Sequence, residues 1–288
     1  MLHLILSILS STLILVIFKI AGKKNLPAIF LVILNYFSAS AIGFALTGSA
    51  LTNILVSYRN IWLPVSIVGA IYVFTFFLIG ETTKKAGIAI TTIAAKMSFI
   101  IPISLSLWID ANDVLSVDKL LLLTAAFVAV FLSVYNKSEN NSKEWLYPTL
   151  LFIFLGLADS VVKYMQTFHI QSDKTSAEFS SMVFSVSALC SIVVWIFYGK
   201  ERLQIFKIKT VLLGLLVGIL NFSSLYFFIN ALNAVKINNS IVISINNIGI
   251  VLLSLTIGLF WFKEKLNRIN KIGIALSILL IIVLSFSI

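Results

Sequence analysis

The 288-residue chain is short of charge: 11% of its residues are Asp, Glu, Lys or Arg, against about 25% in soluble domains. Cysteine is reduced to Cys190 and histidine to His3 and His169. One thiol cannot close an internal disulfide, and so few soft ligands leave no metal or redox centre to build. Cys190 sits in an apolar run and reads as packing. Four prolines and 13 glycines exclude collagen-like and proline-rich low-complexity classes. What is abundant is apolar: 60% of residues are hydrophobic, 23 of them Phe, and the mean hydropathy is +1.07. A water-soluble chain this apolar could not cover its surface with polar groups, so the expected class is an all-α integral membrane protein.

The net charge of +10 could point to nucleic acid. The basic residues, however, occupy short connectors between apolar runs, where membrane topology rather than phosphate contact explains them. A spanning helix needs about 20 mostly apolar residues. Ten such runs occur: Leu2 to Ile20, Ala28 to Thr47, Trp62 to Gly80, Ala86 to Ile109, Val117 to Tyr135, Trp145 to Thr167, Ala177 to Tyr198, Ile208 to Asn230, Ile237 to Phe262 and Ile269 to Phe286. Their continuity is unlike the alternating pattern of a membrane β-barrel. The first run lacks a basic n-region and a small-residue cleavage site, so it reads as a span rather than a signal peptide.

The polar stretch Asn136 to Glu144 divides the chain nearly in half, giving expected units of 1–136 and 145–288 joined by a connector at 137–144. Its N-x-S patterns at Asn136 and Asn140 carry no functional weight. The halves align weakly. Glu264 after span 9 matches Asp113 after span 4, 151 residues apart, and Lys163 matches Lys19, 144 residues apart; on the first register Asn247 faces Lys96.

Charge tests the repeat independently. Fifteen basic residues fall on one side: Lys19, Lys23, Lys24, Lys84, Lys85, Lys137, Lys143, Lys200, Arg202, Lys207, Lys209, Lys263, Lys265, Arg268 and Lys271. Only Arg59, Lys119, Lys174 and Lys236 fall on the other. The bias places the basic connectors in the cytoplasm and both termini outside. An odd number of helices per unit then makes the second half enter upside down, a five-plus-five inverted repeat of the kind that secondary transporters use.

The Lys late in spans 1 and 6 (Lys19, Lys163), and the run into Glu264-Lys265-Leu266 followed by Gly273 in the next span, resemble the drug/metabolite transporter superfamily, specifically its EamA-like branch. The resemblance covers essentially the whole chain. It implies ten helices as two five-helix EamA-like units and transport of small metabolites or drugs. Asp113 stands where that family usually has Glu, and Pro102 in span 4 has no proline partner in span 9.

Ionisable groups inside a membrane mark pathways or pairs. Three lie well inside: Lys96 midway along span 4, and Asp159 with Lys163 one helical turn apart in span 6. The latter two could neutralise each other, and Lys163 could snorkel to the nearer interface. Lys96 is too deep to snorkel and has no acid within four residues. Asp159 reaches it across the repeat interface, or it stands neutral, or it awaits an anionic substrate group. Ser240, Ser244, Asn247 and Ser254, with Asn246 beside them, form a polar stripe on span 9; interhelical hydrogen bonding is the plain alternative to a binding role. Asn35 and Tyr36 in span 2, Tyr72 in span 3, and Asn221 and Tyr226 in span 8 are further substrate-binding candidates. Gly214 and Gly218 form a GxxxG that serves helix contact within or between subunits. The five Trp residues lie near span ends, as interfacial anchors.

The expected function is a secondary transporter or exporter of a small polar metabolite, anionic or zwitterionic such as an amino acid, acting by alternating access in the plasma or bacterial inner membrane. Should protons drive it, Asp159, the one mid-membrane acid, carries them. No Walker A motif supports ATP-driven transport and no HExxH supports a metalloenzyme, so no cofactor, metal, catalytic residue or nucleic-acid partner is expected; the partners are a small molecule and lipid, in a monomer or homodimer. An intramembrane enzyme on a lipid-linked substrate and a non-transporting scaffold are the competing classes.

Overall fold

The computed structural model describes residues 2–47, 61–109, 117–135, 145–168, 173–197, 203, 205–234 and 239–287. Asp113 and the connector 137–144 lie outside them, and for Lys163, Ser240 and Ser244 only the backbone is described. Apart from short turns, the described residues are helical, and none of them forms a strand. In order they form α1 (Leu2–Lys23), α2 (Ala28–Thr47), α3 (Trp62–Lys85), α4a (Ile88–Met97), α4b (Ile100–Ile109), α5 (Val117–Val134), α6 (Leu146–Phe168), α7 (Asp173–Ile196), α8 (Ile208–Ala234), α9 (Asn239–Thr256) and α10 (Arg268–Ser287). Six stretches among them are long and apolar enough to cross a membrane. The protein is membrane-embedded: helices satisfy their own backbone groups in lipid, and large apolar side chains such as Leu63, Phe131 and Phe197 cover its outside.

Two spans depart from the expected continuous helices. The run Ala86 to Ile109 is broken at Ser98 and Phe99 into α4a and α4b. Pro102 has no N–H to offer the Ser98 carbonyl, which accepts instead from the Ile101 amide at 3.0 Å; the ring forces the interruption that hydropathy does not register. The run Ile237 to Phe262 is an α-helix only to Thr256 and then widens into a π-helical turn, Ile257–Trp261.

Lipid tails are as apolar as Leu, so close approach rather than water exclusion holds such helices together. α2 lies against α7 and α8, α3 against α6 and α7, and α5 against α10. α1 packs on α3, α8 and α9, and α4a on α6 and α9. Small residues let these surfaces meet. A methyl group on Gly218 would strike the Ser38 hydroxyl, and one on Gly273 would strike the Ser133 amide. Gly214 seats Leu34, so the GxxxG of α8 is spent inside the chain, against α2.

Candidate functional site

α4a ends in the middle of the molecule, and its last turn carries Lys96. The break therefore presents a helix end, rather than a helix side, beside Lys96. Ser98 follows, its hydroxyl donating to the Ala95 carbonyl at 2.7 Å and lying 3.5 Å from Asp159 Oδ2 on α6. Gly156, one turn before Asp159, faces the break; a Cβ there would come within 2.8 Å of the Ser98 carbonyl oxygen. Pro102 opens the helix and Gly156 admits it against α6.

Around this break the charges gather. Asp159 interacts electrostatically with Lys96 and with Tyr72 on α3, and Tyr72 with Tyr36 on α2. Lys96 and Asp159 nonetheless close no direct ion pair; among the described residues the ion pairs join Lys19 to Glu264 and Lys85 to Glu81. Both side chains are half-buried although their neighbours Met97, Ser98 and Ala158 are fully buried. Tyr36 is wholly buried and donates to the Tyr72 carbonyl at 2.7 Å. That bond ties α2 to α3 beside Asp159.

Helix geometry brings part of α9 level with this break. Gly258 rests against α4a, its missing Cβ 3.8 Å from the Ala89 amide nitrogen, and the two helices run in opposite directions from that contact. Lys96 shares a face with Ala89, seven residues on, while Ser254 and Asn247 share a face with Gly258. Lys96 thus comes level with the α9 turn between Asn247 and Ser254, about 10 Å from the Gly258 contact. The Ser254 hydroxyl and the Asn246 carbonyl oxygen are buried without a hydrogen-bond partner, the kind of group that calls for an explanation in a folded interior.

The remaining candidates lie elsewhere. Asn221 Nδ2 donates to Asn35 Oδ1 at 3.1 Å, a buried amide pair that joins α8 to α2 and leaves Asn35 Nδ2 unpartnered. Tyr226 is half-exposed and packs its ring on Phe222 and Phe227. Among the described residues no three of His, Cys, Asp and Glu stand together as a metal site would need.

A second polar centre sits where α3 turns into α4a. Glu264, beyond the π-helical turn of α9, accepts from the Ile88 amide at 2.8 Å and the Ala89 amide at 3.3 Å, and pairs with Lys19 at 2.8 Å. Lys19 also donates to the Thr83 carbonyl at 3.1 Å. A carboxylate on a helix N-terminus and an ammonium on a helix C-terminus each oppose the local dipole, and here they are bound to each other. Gly87, at φ +97°, holds the turn; a Cβ there would lie 2.7 Å from the Glu264 carboxylate. Lys19 and Glu264 stand out in the sequence through the repeat and the family resemblance, but their mutual contact does not, because no local spacing joins residues so far apart.

No protein-family model matches the chain. A protein of Haemophilus influenzae, described only as an uncharacterized protein, is 25% identical over 281 residues, spanning 96% of this chain and 94% of the relative. A solved structure, described only as the crystal structure of a protein, superposes with a TM-score of 0.55 at 17% identity, over 99% of this chain and 96% of its own. That likeness concerns the fold alone: the whole length of the chain follows an arrangement already seen in a crystal.

Proposed function

We propose that the protein is a secondary transporter of a small polar metabolite, anionic or zwitterionic such as an amino acid, in the plasma or bacterial inner membrane. It works by alternating access between two five-helix units of opposite orientation, in the manner of the EamA-like transporters its motifs resemble. The observation that carries this reading is the arrangement at the break: a lysine at the end of a half-helix faces an aspartate across a helix interface, and the two do not close on each other. A charge pair kept only for stability would be expected to close, because an unpaired charge at depth is costly. Left apart, Lys96 is free to take a carboxylate or phosphate and Asp159 an ammonium or a proton.

The packing supports the repeat. Numbering α4a and α4b together as one span, the contact of α2 with α8 has its counterpart in α7 with α3, and α1 with α8 in α6 with α3. The contacts α2 with α7, α4a with α9 and α5 with α10 map onto themselves. A pseudo-two-fold between the halves would produce this pattern, and would put Lys96 beside its axis.

The test is a thermal-shift screen of the purified protein in detergent against amino acids, carboxylates, phosphorylated metabolites and lipophilic cations, repeated on Lys96→Ala. A ligand that binds only the folded state raises its apparent stability. Stabilisation by anions or zwitterions that disappears in the variant supports the reading. Stabilisation by cations alone, unchanged in Lys96→Ala, rejects it.

A further inference from the structure

We infer that Lys19, Glu264 and the amides of Ile88 and Ala89 form a latch that closes the way to Lys96 from the side of the 24–27, 86–87 and 262–267 turns, and that this latch must part before the central charges are reached from there. The inference rests on the proposed transporter for its purpose, but its geometry is independent of any substrate.

Three features make this contact more than an ordinary ion pair. It joins segments from both ends of the chain: Lys19 from α1, the start of α4a, and Glu264 from the turn after α9. It is enclosed, the two side chains being 14% and 8% exposed. And α4a has no cap of its own: Gly87 occupies the N-cap position and supplies no side chain. The helix that ends in Lys96 is therefore held at its beginning by a residue on the opposing half. Separation of α9 from α4a along the Gly258 contact parts Glu264 from the Ile88 and Ala89 amides and, with α1 staying beside α4a, from Lys19 as well. Glu81, the nearest acid in sequence, is turned to Lys85.

Lysine has no hydrogen-bond acceptor, which separates the two parts of the latch. Exchanging the charges, Lys19→Glu with Glu264→Lys, can restore an ion pair but leaves the Ile88 and Ala89 amides uncapped. Glutamine at 264 keeps one acceptor and loses the charge. Aspartate keeps the charge on a stem one carbon shorter.

The test uses the full chain in membrane vesicles of each orientation, with Cys190→Ala and Ser98→Cys, and a charged maleimide that does not cross the bilayer. Labelling of residue 98 is followed from each side. Glu264→Gln and Lys19→Met are expected to raise the rate from the Lys19 side about tenfold or more, by shifting the population toward the open state, without raising it from the other side. The charge exchange is expected to remain fast, and Glu264→Asp to fall between. Rates from the Lys19 side that are unchanged in both Glu264→Gln and Lys19→Met, in protein that stays monodisperse, overturn the latch. So does an equal rise from both sides, which would mean general loosening. If the latch variants open that side while Lys96→Ala binds anions as well as the parent does, the latch stands and the transporter reading fails.

Discussion

The protein holds two pairs of opposite charge at the junction of its halves, and they are built differently. Lys19 and Glu264 touch at 2.8 Å, with the Thr83 carbonyl and the Ile88 and Ala89 amides completing their shells. Lys96 and Asp159 sense each other across α4a and α6 without closing, and the Asp159 carboxylate has the Ser98 hydroxyl beside it at 3.5 Å. The first pair has its partners within the protein. The second is left without such partners in a setting where that is expensive, a contrast that fits the proposal that the first pair holds and the second binds.

The contrast breaks most visibly at Glu264. Glu264→Ala strands the Lys19 charge and two helix amides, and a loss of about 3–5 kcal/mol is expected for removing one partner of an enclosed pair, read as a large fall in the apparent unfolding temperature in detergent. Lys96→Ala is expected to leave the unliganded protein near its parent stability while abolishing stabilisation by an anionic ligand, which amounts to about 2.7 kcal/mol at a hundredfold excess over the dissociation constant.

Gly87→Ala probes the first pair from its rim. A side chain at that positive φ, aimed at the Glu264 carboxylate, should cost about 1–3 kcal/mol, and the loss should be smaller in a Glu264→Ala background, where the obstacle is gone. Asp159→Asn removes the charge that faces Lys96 and alters a long hydroxyl contact, but it breaks no closed ion pair, so a change in stability of about 1 kcal/mol is expected. If protons drive transport, it should also erase the response of uptake to an imposed pH gradient; a retained response removes Asp159 from that role. The smallest effect belongs to Tyr226→Phe, within about 0.5 kcal/mol and silent in ligand binding, because the residue lies half-exposed among Phe222 and Phe227.

Much of this was open to a reader of the sequence, and the limit falls where physics says it should. Apolar run length marks the spans, because lipid demands it, and rarity singles out Lys96 and Asp159. The break at Ser98 escapes notice: the residues on both sides of it are equally apolar, and Pro102 alone cannot say whether a helix bends or stops. Gly156, which makes room for that break, has no local signature at all. Glu264 reads as a repeat marker and not as a cap, because the amides it serves are about 175 residues away. The GxxxG of α8 leaves its partner undecided until Leu34 and Ser38 of α2 are seen against it.

The turn from Phe262 to Asn270 also closes a second helix end. Asn270 Nδ2 donates to the carbonyls of Ser133 and Tyr135 at 2.8 and 2.9 Å, and Asn267 to that of Tyr135 at 3.2 Å. Together with Glu264 on α4a, this one short segment terminates two helices of the first half. During synthesis those helices therefore wait, with open ends, until residue 270 has emerged. The first half can enter the bilayer early, but these two helix ends stay uncapped until residues 264–270 have been made.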